Sequence, residues 1–181
     1  YPSAKLHAEQ VEAEIKKELA EGRYSIVTEK PDIVSAMGAI PKSDGTVRII
    51  HDCSRPAGSA VNDYSIDCPK QKYQSIRDAI KAISPGCYLA KVDLKGAFRS
   101  CALNKSQYPF MGLHWTFSGD KRRTYIQERY MCFGSRAAPS IFHRFSQAVR
   151  RMMARRGGVI IAYQDDFLVI GKTKQQCLNI Y

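Results

Sequence analysis

Several things are scarce or missing in this chain, and each absence narrows what it can be. No apolar run reaches the ~20 residues that a membrane-spanning helix needs, and the first residues show no secretory h-region. A membrane partner is therefore not expected. No C-x-x-C or C-x-x-H pair occurs among Cys53, Cys68, Cys87, Cys101, Cys132 and Cys177, so no zinc module is legible. Most of these cysteines sit inside strand-like or helix-like runs, which suits reduced, packed thiols of an intracellular protein, with cytoplasm and nucleus both open. Acidic residues are few: 17 Asp and Glu stand against 28 Lys and Arg, for a net charge of +11. Repeats and low-complexity segments are absent too.

What is present describes a folded domain. With 181 residues, 44% of them hydrophobic, the chain can bury a substantial core as one or two lobes. The basic excess makes a polyanion the expected partner, and without a membrane signal nucleic acid is favoured. Ordinary basic solubility is the bland alternative. The chain opens with Tyr1 rather than Met and stops at Tyr181 within helix-like sequence, so it reads as a piece of something longer.

The patterning is mixed α+β. "PSAKLHAEQVEAEIKKELAEGR" carries Leu6, Val11, Ile15 and Leu19 at helical spacing, with Gly22 as the cap. "SAMGAIPKSDGTVRIIHDCS" reads as two short strands around a Ser-Asp-Gly turn, and "RPAGSAVNDYS" as loop. A short helix covers "YQSIRDAIKAI", ended by Ser84 to Gly86, and "CYLAKVDLKGAF" is a buried strand running out into a turn. "YPFMGLHWTF" and "RTYIQERYM" form a hairpin across "SGDKR". "SRAAPSIFHRFSQAVRRMMARR" is an amphipathic helix starting near Pro139, with Ile141, Phe142, Phe145, Val149, Met152 and Met153 on one face. The hairpin "GGVIIAYQDDFLVIGK" follows, then the start of a last helix.

Three acids stand out by context. Asp93 ends the apolar run "CYLAKV", and Asp165 and Asp166 occupy the turn of a hairpin with apolar arms. Taken alone, an Asp-Asp pair in a hairpin is a solvated turn and a single Asp at a strand end is a cap. If the hairpin lies beside the Asp93 strand, however, all three carboxylates converge and repel, and one must take up a proton or a cation must balance them. All-oxygen ligands point to Mg²⁺ or Mn²⁺. Two such ions held by shared carboxylates serve nucleotidyl transfer, one at the attacking 3′-hydroxyl and one at the triphosphate and leaving pyrophosphate.

These acids have company. "VDLKGAF", then "YMCFGSRAAPSIF", then "YQDDFLVIG" resemble, in order and spacing, the palm motifs of reverse transcriptases. "IPKSDGTVRIIHDCSRPAGSAVNDYS" resembles their fingers hairpin, and "HDCSRPAGSAVND" with "FGSRAAPSIF" is similar to the long-terminal-repeat and DIRS-like branch of retroelements. The resemblance covers essentially the whole chain. It implies the fingers and palm of a right-hand polymerase, an antiparallel palm sheet backed by helices, with the thumb absent. Residues 1–68 would be the N-terminal helix and fingers, 69–100 palm, 101–138 fingers again, and 139–181 palm.

The resemblance also implies roles. Asp93, Asp165 and Asp166 would be catalytic and hold two Mg²⁺ or Mn²⁺ ions, with the backbone carbonyl of Leu94 completing one shell. Phe98, beside Ala97, would be the aromatic gate beneath the sugar, leaving no room for a 2′-hydroxyl and so selecting deoxynucleotides. Lys42 and Arg48 would grip the incoming triphosphate, and Phe133 with Gly134 would pack against the nucleotide. Arg136, Pro139, Tyr163, Gln164, Lys121, Arg122 and Arg123 are the candidates for template and primer. The arginines of the long helix are read as its solvated face.

Three positions depart from the family pattern: Cys132 where many members have Pro, Ser54 where retroviral-type sequences carry Arg, and Gln164 as the x of Y-x-D-D. None removes a metal ligand. The implied function is RNA-directed DNA polymerisation within a retrotransposon polyprotein, with a primed RNA or DNA template and dNTPs as partners; a thumb and RNase H domain are expected elsewhere, and residues 1–181 alone are expected to be weak or inactive through poor primer–template retention. The alternatives are a silent nucleic-acid-binding domain of the same descent and a related polymerase that makes RNA.

Overall fold

A computed structural model describes residues 1–180; Tyr181 and any part it takes in the last helix lie outside them. The described residues form two compact units, each assembled from two stretches: 1–67 with 98–138, and 68–97 with 139–180.

In the first unit the expected N-terminal helix is broken. Helix α1 (Pro2–Leu6) and helix α2 (Ala8–Ala20) are separated at His7, whose φ of −111° and ψ of 38° are not helical. The break turns Ala4 inward and leaves Leu6 79% exposed, while Val11 and Ile15 are fully buried. Gly22, at φ +70°, ends α2. Its N–H donates to the Leu19 carbonyl and the Arg23 N–H to the Glu18 carbonyl, the two bonds of a Schellman motif.

Strand β1 (Tyr24–Val27) has no counterpart in the sequence reading: four residues between a helix cap and a charged loop offer too short a pattern. The next hairpin, β2 (Ala36–Pro41) and β3 (Val47–Asp52), runs in register from Ala36 opposite Asp52 to Pro41 opposite Val47. Its loop closes with Lys42 N–H donating to the Thr46 carbonyl at 2.9 Å, around Gly45 at φ +80°. Strands β5 (Gly112–Trp115) and β6 (Thr124–Glu128) make the second expected hairpin, and β1 joins β6 to give a three-stranded antiparallel sheet. Val11, Ile15, Tyr24, Val47, Leu113 and Ile126 share one core. Burying each such side chain contributes about 1.5–3 kcal/mol, and together they tie the N-terminal helices to strands a hundred residues away.

The second unit is a three-stranded antiparallel sheet of β4 (Tyr88–Asp93), β7 (Val159–Tyr163) and β8 (Asp166–Gly171), in the order β4-β8-β7. Alternation sorts its side chains to two faces. Ile160, Ala162, Phe167 and Val169 pack against Val149 and Met153 of α4 (Ala138–Ala154) and Cys177 and Ile180 of α5 (Lys174–Ile180). On the opposite face α3 (Ile76–Ala82) sets Ala79 against Ile161 and Ile170. Ser75 begins α3, with the Asp78 carboxylate accepting from its N–H and hydroxyl at 2.8 and 2.9 Å.

Two expectations fail in this unit. Strand β4 lies at the sheet edge and is not buried: Tyr88 is 47% and Leu89 52% exposed. On α4 the expected single apolar stripe is divided, with Phe142 fully buried and Ile141, Phe145 and Met152 exposed. Hydrophobic spacing marks a helical face, but the width of the sheet beneath sets how much of it is covered. Cys53, Cys132 and Cys177 are buried. Among the described residues no helix is long and apolar enough to cross a membrane.

Candidate active site

The second unit sets two of the three acids opposite one another through its strand pairing and leaves the third, Asp165, in the adjoining turn. Asp93, last on β4, is the cross-strand partner of Asp166, first on β8, and Asp166 in turn faces Tyr163 on β7. The hairpin turn therefore consists of Gln164 and Asp165 alone; Asp166, expected in the turn, belongs to the strand. The backbone of Leu94 donates to the Asp165 carbonyl at 3.0 Å, which fastens the turn to the end of the Asp93 strand.

That turn is strained and pinned. Gln164 takes φ of 55°, the left-handed region that costs a non-glycine residue about 1 kcal/mol or more. Ser146, wholly buried on α4, donates its hydroxyl to the Gln164 carbonyl at 2.6 Å. Beside it the Tyr73 ring lies 4.9 Å from His143, edge-on, and 5.4 Å from Tyr163, while the Gln74 side chain accepts the Ala162 N–H at 3.0 Å.

Lys91 completes the carboxylate group. Its ammonium lies 2.9 Å from Asp166 Oδ1, an atom shielded from water and without a well-aligned hydrogen bond. The Asp166 contact holds the Lys91 ammonium above its ordinary range, and the charges of Asp93 and Asp165 push the same way. Among the described residues no three His, Cys, Asp or Glu side chains are gathered closely enough to hold a metal ion.

The first unit collects a second group of the expected residues. The Arg48 guanidinium lies over the Phe133 ring, 4.7 Å from its centre, and Phe133 meets Phe98 at 5.1 Å. Arg48, Phe133 and Phe98 thus form one cation–aromatic stack. Lys42 stays exposed at the end of the β2–β3 hairpin, and Lys121, Arg122 and Arg123 are exposed in the loop before β6.

Gly134 is glycine for a local reason. At φ +122°, a Cβ there would lie 1.8 Å from the His51 carbonyl oxygen. The close approach expected of it is made first to its own unit: His51 N–H donates to the Phe133 carbonyl at 2.9 Å. Asn62 clamps the same segment, donating to the Gly134 carbonyl at 3.0 Å and the Ser54 hydroxyl at 2.8 Å and accepting from Arg136 N–H at 2.8 Å. The Arg136 guanidinium reaches the Ser65 carbonyl and Asp67. Ser54, which replaces an arginine of the family pattern, is therefore part of this clamp.

Beneath the stack runs a buried polar network. Arg99 pairs with Glu128 and donates to the Tyr24 hydroxyl at 3.2 Å, and Glu128 also accepts the Arg129 and Tyr130 N–H groups. His51 Nε2 lies 3.2 Å from the Tyr24 hydroxyl and 3.6 Å from Glu128. Burial drives the His51 imidazole down to about 3, with Arg99 adding to it, and drives the Glu128 carboxyl up to about 7 against the pull of Arg99.

Sequence reasoning missed Asn62, Ser146, Glu128, His51 and Lys91. Only Lys91 had a readable signal, because a residue two before Asp93 on a strand shares its face.

The chain is similar to a foamy viral protease-reverse transcriptase solved in complex with double-stranded DNA, with a TM-score of 0.72 and 19% identity. The match covers 99% of this chain and 29% of that one, so the chain spans less than a third of its length and shares the fold of its fingers and palm. No curated protein sequence matches. A family model described as reverse transcriptase (RNA-dependent DNA polymerase) matches residues 40–181. Its matched span holds the carboxylate strands, the aromatic stack and the glycine segment alike, and the chain belongs to the reverse transcriptase family.

Proposed function

We propose that this chain carries the fingers and palm of an RNA-directed DNA polymerase of a retrotransposon, one of the long-terminal-repeat or DIRS-like type, and that Asp93, Asp165 and Asp166 are its catalytic carboxylates. The observation that carries the reading is the register that sets Asp93 opposite Asp166, with the Asp165 turn fastened to Leu94. The donor set fits Mg²⁺ or Mn²⁺: it is all oxygen, and Asp166 Oδ1 has no well-aligned donor. Asp93, Asp165, Asp166 and the Leu94 carbonyl are the groups that would hold two ions. When bound, these supply activation of the 3′-hydroxyl and stabilisation of the leaving pyrophosphate.

The chain's own residues prepare that chemistry. Ser146 and the Leu94 N–H fix the turn, so the Asp165 backbone does not wander. In the first unit Arg48 and Lys42 are assigned to the triphosphate of a dNTP, and Phe98, beside Ala97, to the sugar face. Phe133 supports this assignment by holding Arg48 and Phe98 in one stack. Template and primer contacts fall to Tyr163, Gln164, Pro139, Arg136 and Lys121 to Arg123.

Primer extension tests the reading, with an RNA template, a DNA primer, deoxynucleotides and Mg²⁺ or Mn²⁺. Asp165→Asn, with the fold retained, should lower extension by on the order of a thousandfold or more. Unchanged synthesis in that variant would remove the catalytic assignment. A second reading, a nucleic-acid-binding domain without chemistry, is favoured by the Lys91–Asp166 pair, which already balances one carboxylate. Tight RNA binding with no synthesis in either metal would establish it. Efficient use of ribonucleotides would instead point to an RNA-making polymerase.

A further inference from the structure

We propose that Lys91 is a built-in counter-ion that competes with the divalent cation for Asp166, so that metal enters this site only by displacing the lysine. The proposal rests on the metal-site reading above and adds a residue to it. Lys91 and Asp93 lie two apart on β4, both exposed and on one face, and Asp166 is the cross-strand partner of Asp93. Two residues of strand span about 6.4–6.8 Å, a gap that a lysine stem bridges easily. The ammonium does so and ends 2.9 Å from Asp166 Oδ1.

Three further observations make the contact more than an incidental surface pair. Among the described residues Oδ1 is the one shielded side-chain atom of the carboxylate group without an aligned hydrogen bond, and the Lys91 ammonium at 2.9 Å is the partner it has. Asp93 and Asp166 are neighbours by backbone register, yet among the described residues no three acids are gathered for a metal. With Asp166 held by Lys91, one of the expected ligands is already in use. Finally, the Lys91 side chain keeps 70% of its exposure, so it can leave without disturbing the core. An ammonium balances one of three negative charges; a divalent ion balances more and gains oxygen ligands. The lysine is therefore a placeholder that keeps the metal-free carboxylates from repelling one another and that weakens metal binding when it stays.

Direct titration of Mn²⁺ into the chain, following the free ion by electron paramagnetic resonance, tests this without any assay of synthesis. Circular dichroism establishes that each variant is folded. We expect Asp165→Asn to weaken Mn²⁺ binding, Lys91→Met to tighten it by roughly tenfold from Coulomb's law, and Lys91→Arg to restore affinity close to that of the parent. Binding that weakens in Asp165→Asn but is unchanged or looser in Lys91→Met would overturn the counter-ion role and leave the metal site standing. Binding indifferent to Asp165→Asn would overturn the metal-site reading, and the competition with it.

Discussion

At the scale of single residues, backbone geometry selects side chains as firmly as chemistry does. Gly134 is the sharpest case, since any Cβ would collide with the His51 carbonyl at a φ that L-residues avoid. Gly134→Ala should destabilise the chain by more than about 3 kcal/mol, or prevent folding, as read from urea unfolding. Ser146 is a subtler one. Ser146→Ala removes the hydroxyl that holds the Gln164 carbonyl, at a cost of about 1–2 kcal/mol. Because that bond secures the turn bearing Asp165, the proposed polymerase function predicts that the same variant loses primer-extension rate by more than its small loss of stability accounts for. Full rate in a folded Ser146→Ala would show that the turn holds its shape unaided. Hydroxyl and glycine alike act through the backbone: a close approach at Gly134 was legible from residue type, but its partner His51 and the role of Ser146 were not.

Among the elements, the buried network linking β1, β3, β6 and Arg99 sets how the first unit responds to acid. His51 is held well below its ordinary value, so the folded state binds fewer protons than the unfolded one between pH 6.5 and about 3, and stability falls as pH falls through that window. Glu128 is raised from 4.5 to about 7, so its contribution is complete below 4.5 and is lost as pH rises through 7. Between 4.5 and 6.5 the two slopes oppose. Glu128→Gln should therefore unmask the His51 slope, up to about 1.4 kcal/mol per pH unit, and thermal melts from pH 7 to 4 would register it. A flat profile in that variant would mean that His51 takes no part in acid unfolding.

The elements also show how far the sequence could be read. The β2–β3, β5–β6 and β7–β8 hairpins, α3 and α4 were legible from alternation, helical spacing and turn residues. Strand β1 was not, because only pairing with β6 a hundred residues later makes it a strand. The edge position of β4 was hidden for a related reason: "CYLAKV" is apolar enough for a buried strand, and burial depends on neighbours that composition does not name. Of the site, Asp93, Asp165 and Asp166 were legible as context-breaking acids, and Arg48, Phe98 and Phe133 by resemblance. Asn62 and Glu128 were not, since an Asn in a loop and a Glu at a strand end carry no mark of their partners.

For the molecule as a whole, a net charge of +11 favours a polyanionic partner, and the proposed function makes that partner nucleic acid. If binding is carried by phosphate contacts, affinity for a primed RNA template falls linearly on a log–log plot against salt. Replacing Lys121, Arg122 and Arg123 with Ser should then lower the slope by up to about three, as measured by fluorescence anisotropy. An unaltered slope would remove that loop from the interface. The two-stretch construction of each unit carries a different consequence, for synthesis on the ribosome. Tyr24 pairs with Glu128, and Val11 and Ile15 share a core with Leu113 and Ile126. At 5–20 residues per second, β1 emerges roughly 5–20 s before the strand it needs. For that interval the N-terminal helices have an apolar face and no sheet to lay it on. The nascent chain must wait for a strand it has yet to make.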